Sequence, residues 1–269
     1  MKKILLFGSK GQLGSQLAML LNKNYNLIEI THADLDFNKF YMIEDLILKN
    51  VPDIVINCVA MTDVDRCEVE MENAYHVNAE AIKHIIRPMK IINSYFINIS
   101  TDYVFNGLKG NYKEDDLPEP VNYYGLSKLL GDIYANSYDN SLIIRTSGVF
   151  HNKGFPLFVY KNLKENNKIN AIPGFYSPIS AYNLAMAIKQ IIPLNKTGIL
   201  NIAGNRISRY ELALKVAKLY NLKNNVDEKN IDMKAKRPFD STLNIEKAKK
   251  LIDFDFYSTE ENLKLMVVK

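Results

Sequence analysis

Short apolar runs alternate with longer stretches of helical periodicity along the first half of the chain. Runs that are apolar at every position are typical of parallel strands, because such strands are buried on both faces. The alternation predicts an α/β fold with a doubly wound parallel sheet, whose ligands bind at the carboxyl ends of the strands. The predicted strands are residues 4–7, 26–31, 34–37, 53–57, 92–99 and 142–146, and the predicted helices are residues 12–21, 74–86 and 124–138, with a further helix ending at 45–49.

A glycine-rich turn joins the first predicted strand to the first predicted helix. Glycines let the backbone approach a pyrophosphate, and the amino terminus of the helix offers free N–H groups and the positive end of its dipole. The pattern therefore predicts a Rossmann-type dinucleotide site, and the alternative is a tight strand-to-helix turn without a ligand. The residues predicted to contact the dinucleotide here are Gly8, Lys10, Gly11, Gln12, Leu13 and Gly14.

The second half of the chain changes character, because its strands are shorter and a polar stretch at 221–236 interrupts the pattern. Residues 198–203 form an apolar run that we expect to join the main sheet. We predict a dinucleotide-binding domain at 1–150, completed by 178–204, and a smaller, discontinuous C-terminal substrate-binding lobe in 151–269. The remaining predicted helices are residues 158–166, 181–192, 208–219 and 244–252, with a short strand at 169–173.

The end of the second predicted strand bears on the choice between NADH and NADPH. An enzyme that selects NADH usually places an acid there to hold the ribose 2′-hydroxyl, whereas this chain has Thr31 and His32. With no carboxylate to repel a 2′-phosphate, and with Lys10 in the glycine turn, NADPH is the favoured cofactor and NADH the alternative. Glu29 becomes the ribose ligand if the strand ends two residues earlier.

Further cofactor contacts are predicted after two other strands. Asp36 is placed to meet the adenine amine, and a solvated turn carboxylate is the equal alternative. Small residues after the strand at 53–57 would let a cofactor pass, and a threonine lies beyond them. The candidates at these two places are Asp36, Phe37, Cys58, Val59, Ala60 and Thr62.

Tyr124 and Lys128 lie four residues apart, so they share one face of a predicted helix. A phenol has a pKa near ~10, and an adjacent ammonium lowers that pKa, which makes Tyr124 a usable proton donor. The strand before this helix ends in Thr101, whose hydroxyl can face the same cavity. A second pair with this spacing, Tyr160 and Lys164, lies in an ordinary amphipathic helix. Context therefore selects the first pair.

Asn78 is an amide among apolar neighbours in the helix predicted at 74–86. A buried amide must be hydrogen-bonded. We therefore expect Asn78 either to tie two strands together or to support the active site.

The composition narrows the classes of function. Lysines scattered among acids give a net charge of +4, and without a basic run nucleic-acid binding is not expected. Cys58 and Cys67 lack metal-ligand spacing and the four histidines do not cluster with them, so no metal site is predicted. No apolar run is long enough to span a membrane, and a reducing, cytoplasmic setting is the default for this cysteine usage.

Four motifs together give the chain a family likeness. They are the glycine turn, the run Ser-Thr-Asp-Tyr-Val-Phe at 100–105, Tyr-Gly-x-Ser-Lys at 124–128 and Arg-Thr-Ser at 145–147. With these motifs the chain resembles the dTDP-4-dehydrorhamnose reductase family of the extended short-chain dehydrogenase/reductases. The resemblance implies reduction of the 4-keto group of a nucleotide-linked deoxysugar with NADPH or NADH, and it leaves room for a homodimer.

The resemblance also implies roles for individual residues. Tyr124 would protonate the carbonyl oxygen, Thr101 would hold that oxygen, and Lys128 would bind the nicotinamide ribose. Tyr124 and Lys128 would thus contact the cofactor as well. The residues implied to contact the substrate are Thr101, Asp102, Tyr103, Gly148 and Arg237.

The chain departs from the family pattern on the sugar side of the pocket. Gly148 stands where the family usually has Trp, and the Asp-Gln pair expected shortly before Pro178 is missing. The glycine leaves a volume empty unless Phe150, Phe175 or Tyr176 fills it. We therefore expect sugar discrimination to be looser than in the typical family member.

Two questions stay open at this point. Arg237, with Lys236 beside it, is the candidate for contacting a diphosphate, because a guanidinium grips phosphate oxygens through two hydrogen bonds. A surface ion pair is the equal alternative. The competing functions are another sugar-modifying relative such as an epimerase, and a non-catalytic nucleotide-binding subunit resembling the beta subunit of methionine adenosyltransferase.

Overall fold

Six parallel strands form a central sheet in the computed structural model of the protein. Residues 1–268 are described, so Lys269, the last residue of the predicted lobe, lies outside the described part. The strands are β1 (Lys3–Phe7), β2 (Asn26–Ile30), β3 (Ile54–Asn57), β4 (Tyr95–Thr101), β5 (Ser141–Thr146), β6 (Ile169–Ala171), β7 (Phe175–Tyr176), β8 (Gly198–Asn201), β9 (Ile207–Ser208) and β10 (Val226–Glu228). The α-helices are α1 (Gln12–Leu21), α2 (Phe40–Asn50), α3 (Val64–Val69), α4 (Met71–Tyr75), α5 (Ala81–Ile92), α6 (Tyr123–Asn136), α7 (Phe155–Lys164), α8 (Ala181–Ile191), α9 (Arg209–Leu219), α10 (Glu246–Lys249) and α11 (Thr259–Lys264). None of these helices of residues 1–268 is long and apolar enough to cross a membrane.

The strand order of the sheet is β2-β1-β3-β4-β5-β8, and every neighbouring pair is parallel. Because β1 lies between β2 and β3, the connections that follow β1 and β3 diverge and leave a crevice at the carboxyl ends of those strands. Ile4 and Leu6 lie in one buried cluster. Leu5 and Phe7 lie in the other, which is why β1 is apolar at every position. The predicted α/β fold is confirmed, and 198–203 joins the sheet through β8.

A third hydrophobic cluster lies in the C-terminal half of the chain. It contains Val159 and Leu163 of α7 and Leu212 and Val216 of α9. Two short strand pairs belong to this half, β6 with β10 in parallel and β7 with β9 in antiparallel orientation. These residues form a core apart from the two clusters that flank the sheet, and the predicted domain boundaries stay a prediction.

The strand predicted at 34–37 does not form. The backbone N–H groups of Asp34 and Leu35 donate to the Thr31 carbonyl at 3.1 and 3.3 Å, and these bonds close a turn instead. Leu35 and Phe37 are buried against the core, which explains the apolar pattern that suggested a strand.

Several other elements differ from their predicted bounds. The strand predicted at 92–99 starts later, because α5 continues to Ile92. The helix predicted at 74–86 consists of α4, a π-helical segment at His76–Glu80, and the start of α5. The helix predicted at 244–252 is reduced to α10, and α11, β9 and β10 were not predicted.

The π-helical segment at His76–Glu80 packs directly against α6. A Cβ built on Gly131 of α6 would lie 2.2 Å from the carbonyl oxygen of Asn78, which is closer than non-bonded atoms approach. Segments of this kind are frequent at functional sites. The absence of a side chain at Gly131 therefore permits the contact that brings α6 to Asn78.

We expect Gly131→Ala to lower the free energy of unfolding by about 1–3 kcal/mol, the range for an overpacked core. Alanine ordinarily stabilises a helix relative to glycine by about 1 kcal/mol, but here its methyl group would overlap a backbone atom that cannot rotate away. Urea unfolding measures the change. Ile133→Ala on the exposed face of α6 is the control, with an expected change of about 0.5 kcal/mol or less. A more stable Gly131→Ala protein would contradict the close contact.

Candidate functional site

The glycine turn after β1 is shaped by contacts that leave no room for side chains. A Cβ on Gly14 would lie 2.0 Å from the Gly8 carbonyl oxygen, and Gly8 itself has a φ of +77°. Gly11 is the N-cap of α1, and no side chain of residues 1–268 caps this helix end. The first N–H groups of α1 are therefore free for an anion, and the turn has the cradle that a pyrophosphate needs.

The loop after β3 forms the other wall of the crevice. A Cβ on Gly8 would lie 3.1 Å from Cγ2 of Val59 and 3.3 Å from the Cys58 carbonyl oxygen. Burial raises the pKa of the Cys58 thiol to about 12, and the positive charge of Lys128 partly offsets that rise. The loop after β3 therefore lies between the glycine turn, which Val59 contacts, and Lys128, whose charge acts on Cys58.

The other predicted cofactor contacts have varied surroundings. Oε1 of Gln12 accepts the N–H groups of His151 and Lys153 at 3.0 and 3.1 Å. The Gln12 side chain therefore holds the loop after β5, while its backbone N–H stays in the open first turn of α1. Of the rest, Leu13 and Phe37 are buried, Ala60 is half-buried, and Lys10, Asp36 and Thr62 are exposed.

The end of β2 carries a carboxylate that the sequence pattern did not reveal. Oδ2 of Asp34 accepts the N–H of Thr31 at 2.9 Å and its hydroxyl at 2.6 Å. These hydrogen bonds, and more weakly the charge of Lys10, hold the pKa of Asp34 below its usual value. Asp34 follows Gly14 by 20 positions, the spacing at which dinucleotide folds place a ribose-binding acid. The prediction that this strand end lacks a carboxylate is wrong, because the turn folds Asp34 back onto Thr31.

The helix α6 places Tyr124 beside the end of β4. Asn122 caps the helix by accepting the N–H of Gly125 at 2.8 Å, and a Cβ on Gly125 would lie 2.1 Å from the Tyr103 carbonyl oxygen. This approach sets the ring of Tyr124 edge-on against that of Tyr103, with centroids 5.7 Å apart. A side-chain contact with Thr101 acts on the pKa of the Tyr124 phenol. Tyr124 and Thr101 therefore converge, as the motifs predict.

The electrostatics of Tyr124 differ from the prediction. Burial raises the pKa of Tyr124, and the contact with Thr101 offsets this only in part. The ammonium of Lys128 donates to the Ile99 carbonyl at 2.7 Å, so it does not produce the predicted lowering. Burial also lowers the pKa of Lys128, and the charge of Asp132 counteracts that change. Tyr124 therefore keeps its proton at neutral pH, which is the form that a proton donor requires.

Asn78 joins the loop after β3 to α6. Its side-chain oxygen accepts the N–H of Met61 at 2.9 Å, and its amide nitrogen donates to the Met61 carbonyl at 3.1 Å. The same nitrogen donates to the Ser127 hydroxyl at 3.0 Å, one residue before Lys128. Of the two predicted roles, Asn78 has the second, because it supports the helix that carries Tyr124 and Lys128.

Asp102 is buried just after β4, and its carboxylate collects three hydroxyl groups. Oδ2 accepts from Ser147 at 2.7 Å and from Ser241 at 2.5 Å, and Oδ1 accepts from Thr101 at 3.1 Å. Burial raises the pKa of Asp102, whereas these hydrogen bonds lower it. Asp102 therefore positions Thr101, and its direct contact with a substrate stays a prediction.

Gly148 follows β5 and adopts a φ of +49°. A Cβ here would lie 2.7 Å from Cε2 and 2.9 Å from Cδ2 of Tyr176. Of the three aromatic residues considered for this volume, Tyr176 is therefore the one that packs against the glycine. Phe150 is buried in the core of the lobe, and Phe175 lies 3.4 Å beneath the guanidinium carbon of Arg206.

Arg237 is held by an ion pair. Nη2 donates to Oδ2 of Asp65 at 2.9 Å and Nη1 to Oδ1 at 3.4 Å. Nη1 also donates to the Ala235 carbonyl at 2.9 Å. The contacts favour the ion-pair alternative, and a contact between Arg237 and a diphosphate stays a prediction.

The whole chain is similar to proteins of one family. A family model described as "RmlD substrate binding domain" matches residues 1–269. The dTDP-4-dehydrorhamnose reductase of Aggregatibacter actinomycetemcomitans is 31% identical over 270 residues, which cover 92% of each chain. Among solved structures, a hypothetical dTDP-4-dehydrorhamnose reductase from Sulfolobus tokodaii is 51% identical, with a TM-score of 0.96 over 99% of this chain and 100% of that chain. The dTDP-4-dehydrorhamnose reductase of Bacillus anthracis in complex with NADP is 27% identical, with a TM-score of 0.92 over 98% and 97% of the two chains.

The comparison agrees with the observed site at several levels. The match extends over the entire length of the chain rather than over the glycine turn alone. The glycine cradle, the buried carboxylate after β4 and the tyrosine of α6 lie within the matched length. This protein therefore belongs to the RmlD substrate-binding-domain family.

Proposed function

We propose that this protein reduces the 4-keto group of a nucleotide-activated deoxysugar, converting dTDP-4-dehydrorhamnose to dTDP-L-rhamnose with NADPH. The observation that carries the proposal is that α6 places Tyr124 against Thr101, while Lys128 of the same helix reaches the Ile99 carbonyl of the same strand. The names of the relatives support the reaction, and the NADP complex of the Bacillus anthracis relative supports the cofactor. NADH is the alternative cofactor.

The residues of the site have distinct roles in this reaction. The dinucleotide, when bound, supplies a hydride to the carbonyl carbon. Tyr124 supplies the proton to the carbonyl oxygen, so that hydride and proton together convert the ketone to an alcohol. Thr101 holds that oxygen and is itself held by Asp102 and by the N–H of Tyr103 at 3.2 Å. Lys128 uses one ammonium proton on a strand carbonyl, which leaves two for the nicotinamide ribose.

The direct test is the oxidation of NADPH, followed by absorbance, with dTDP-4-dehydrorhamnose as substrate. A panel of other nucleotide-linked 4-ketosugars measures sugar discrimination. We expect turnover of several members, because the smaller phenol ring of Tyr176 packs against Gly148 in place of the family Trp. Strict use of dTDP-4-dehydrorhamnose alone would contradict the looser discrimination and show that Tyr176 replaces the Trp. No turnover of any member would favour a non-catalytic nucleotide-binding subunit.

The role of Tyr124 can be tested by Tyr124→Phe. We expect turnover to fall by roughly 10²- to 10⁴-fold, the usual contribution of a general acid, because the variant has no proton to donate. NADPH binding should persist, since the change removes one oxygen from a side chain of the sugar side. Initial rates and an NADPH fluorescence titration measure the two properties.

The second tyrosine–lysine pair provides the matched control. Lys164 lies over the ring of Tyr160 at 5.6 Å, and that ring packs on Tyr220 at 4.7 Å within the lobe. Tyr160→Phe should therefore leave turnover unchanged. If Tyr124→Phe also kept near-full turnover, Tyr124 would not be the proton donor.

The cofactor preference depends on Asp34. We expect NADPH to bind more tightly than NADH, which the NADP complex of the Bacillus anthracis relative supports. Asp34→Asn should tighten NADPH further by about five-fold, because the carboxylate beside Thr31 would repel a 2′-phosphate held there. NADH binding should change little, since it lacks that phosphate. Calorimetric titration of both dinucleotides into both proteins gives the four affinities.

Asp139→Asn is the control for this experiment. Asp139 is exposed like Asp34, but it lies just before β5, at the opposite end of the strands from the glycine turn. We expect it to alter neither affinity by more than about two-fold. Tighter binding of NADH than of NADPH by the unaltered protein would refute the preference and assign the ribose to Asp34 or Glu29.

A further inference from the structure

One arginine of the chain differs from the others in its partners. The sequence has six arginines, and five of them form ion pairs with carboxylates. Arg209 has no carboxylate partner within residues 1–268. The five ion pairs are Arg66 with Glu70, Arg87 with Glu44, Arg145 with Asp132, Arg206 with Asp240 and Arg237 with Asp65.

The position of Arg209 is unfavourable for a free cation. It is the first residue of α9, next to the positive end of the helix dipole. The residue is half-buried, so its guanidinium is also partly shielded from water. Its one hydrogen bond runs from Nη2 to the Tyr103 hydroxyl at 3.5 Å. The charge of Arg209 favours the buried carboxylate of Asp102 electrostatically, but no direct ion pair forms between the two. The donors of the guanidinium are therefore left for an anionic ligand.

Two tyrosines define the surroundings of Arg209. Its guanidinium carbon lies 4.7 Å from the centroid of the Tyr176 ring, in a cation–π contact. Tyr176 is 5% exposed, and its hydroxyl has no hydrogen-bond partner among residues 1–268. A buried hydroxyl without a partner is rare in folded proteins. N–H groups of the Arg209 guanidinium and the Tyr176 hydroxyl are therefore both available to a ligand at this place.

Arg209 is connected to the proposed proton donor through a single residue, Tyr103. Tyr103 touches Arg209 with its hydroxyl and contacts the ring of Tyr124, the proposed proton donor, at 5.7 Å between centroids. One aromatic ring thus separates the guanidinium from the proton donor. In a nucleotide-linked 4-ketosugar the diphosphate is attached at C1 and the carbonyl is at C4, on opposite sides of a ring of similar width. A ligand with an anion at one end and a carbonyl at the other would therefore need both Arg209 and Tyr124, which contact the same tyrosine.

We infer that Arg209 binds the diphosphate of the nucleotide sugar, with its guanidinium seated on Tyr176. A phosphate gives the planar guanidinium two charge-assisted hydrogen bonds, which a neutral sugar hydroxyl does not. The inference rests on the proposed function for its sugar, but the site itself requires only a nucleoside diphosphate.

Arg237 is the competing residue. Burial raises the pKa of Tyr103, and the charges of Arg209 and Arg237 both oppose that rise. The Arg237 guanidinium is already occupied by Asp65 and by the Ala235 carbonyl. A diphosphate would have to share or displace that carboxylate. Arg209 offers an unused fork at the same tyrosine and is therefore the better ligand.

The test compares two probes, dTDP and thymidine, which differ only in the diphosphate. Calorimetry gives the dissociation constants of both for the full-length wild-type protein and for Arg209→Gln. We expect Arg209→Gln to weaken dTDP by roughly ten- to hundred-fold, the loss of a pair of charge-assisted hydrogen bonds. Thymidine and NADPH should keep their affinities, which also shows that the variant is folded. Arg209→Lys keeps the charge without the fork and should fall between the two.

Arg206→Gln is the matched control. Arg206 lies three positions before Arg209 and also stacks on an aromatic ring, that of Phe175 at 3.4 Å. It is neutralised by Asp240 at 2.9 Å. Its removal should change the affinity for dTDP by no more than about two-fold.

The outcomes separate this inference from the proposed reaction. The preference for dTDP over thymidine measures the contribution of the diphosphate. If Arg209→Gln keeps the wild-type preference, Arg209 does not bind the diphosphate. If only Arg237→Gln loses the preference, the diphosphate binds to Arg237 instead. If the wild type oxidises NADPH with dTDP-4-dehydrorhamnose while Arg209→Gln keeps that preference, only the diphosphate site is wrong. If the wild type shows no such oxidation but Arg209→Gln loses the preference, the diphosphate site stands and the proposed reaction falls.

Discussion

The buried carboxylate of Asp102 is the interaction on which the geometry of the site depends. It accepts hydroxyls from Thr101 after β4, from Ser147 after β5 and from Ser241 in the C-terminal segment. A carboxylate without a direct ion pair is costly to bury, and three donors, helped by the charge of Arg209, offset that cost only when all three segments are in place. The sheet and the C-terminal segment are therefore coupled at Asp102, which positions Thr101.

A second set of contacts fixes α6 from the opposite side. Asn78 bonds to both backbone groups of Met61 and to Ser127, and Gly131 lets the π-helical segment touch α6. Tyr124 is thereby positioned before any ligand binds, so little ordering cost would fall on the proposed proton transfer. The raised pKa of the buried phenol would suit the proposed role of Tyr124, because a proton donor must carry its proton when the carbonyl arrives.

The sugar side differs from the cofactor side in how it is built. In the cofactor crevice, backbone segments lie too close together for a side chain at Gly14, and Gly8 has little more room. The sugar side consists of side chains from distant elements, with Tyr176 from β7 against Gly148 and Arg209 from α9 above it. Side chains can be exchanged without disturbing the sheet, which allows one fold to serve different sugars.

The sequence by itself determined the alternation of strands and helices, the glycine turn, the addition of 198–203 to the sheet and the pairing of Tyr124 with Thr101. The first two depend on neighbouring residues, because burial period and glycine conformation act locally along the chain. The other two followed from a further apolar run and from the motifs around Thr101 and Tyr124. The tertiary structure alone decided the place of Asp34 beside Thr31, the partner of the Lys128 ammonium, and the burial of Tyr176 against Gly148. It also left Arg209 alone among the arginines without a carboxylate in residues 1–268. Such contacts depend on how a turn closes and how separate elements pack, and no spacing along the chain encodes that.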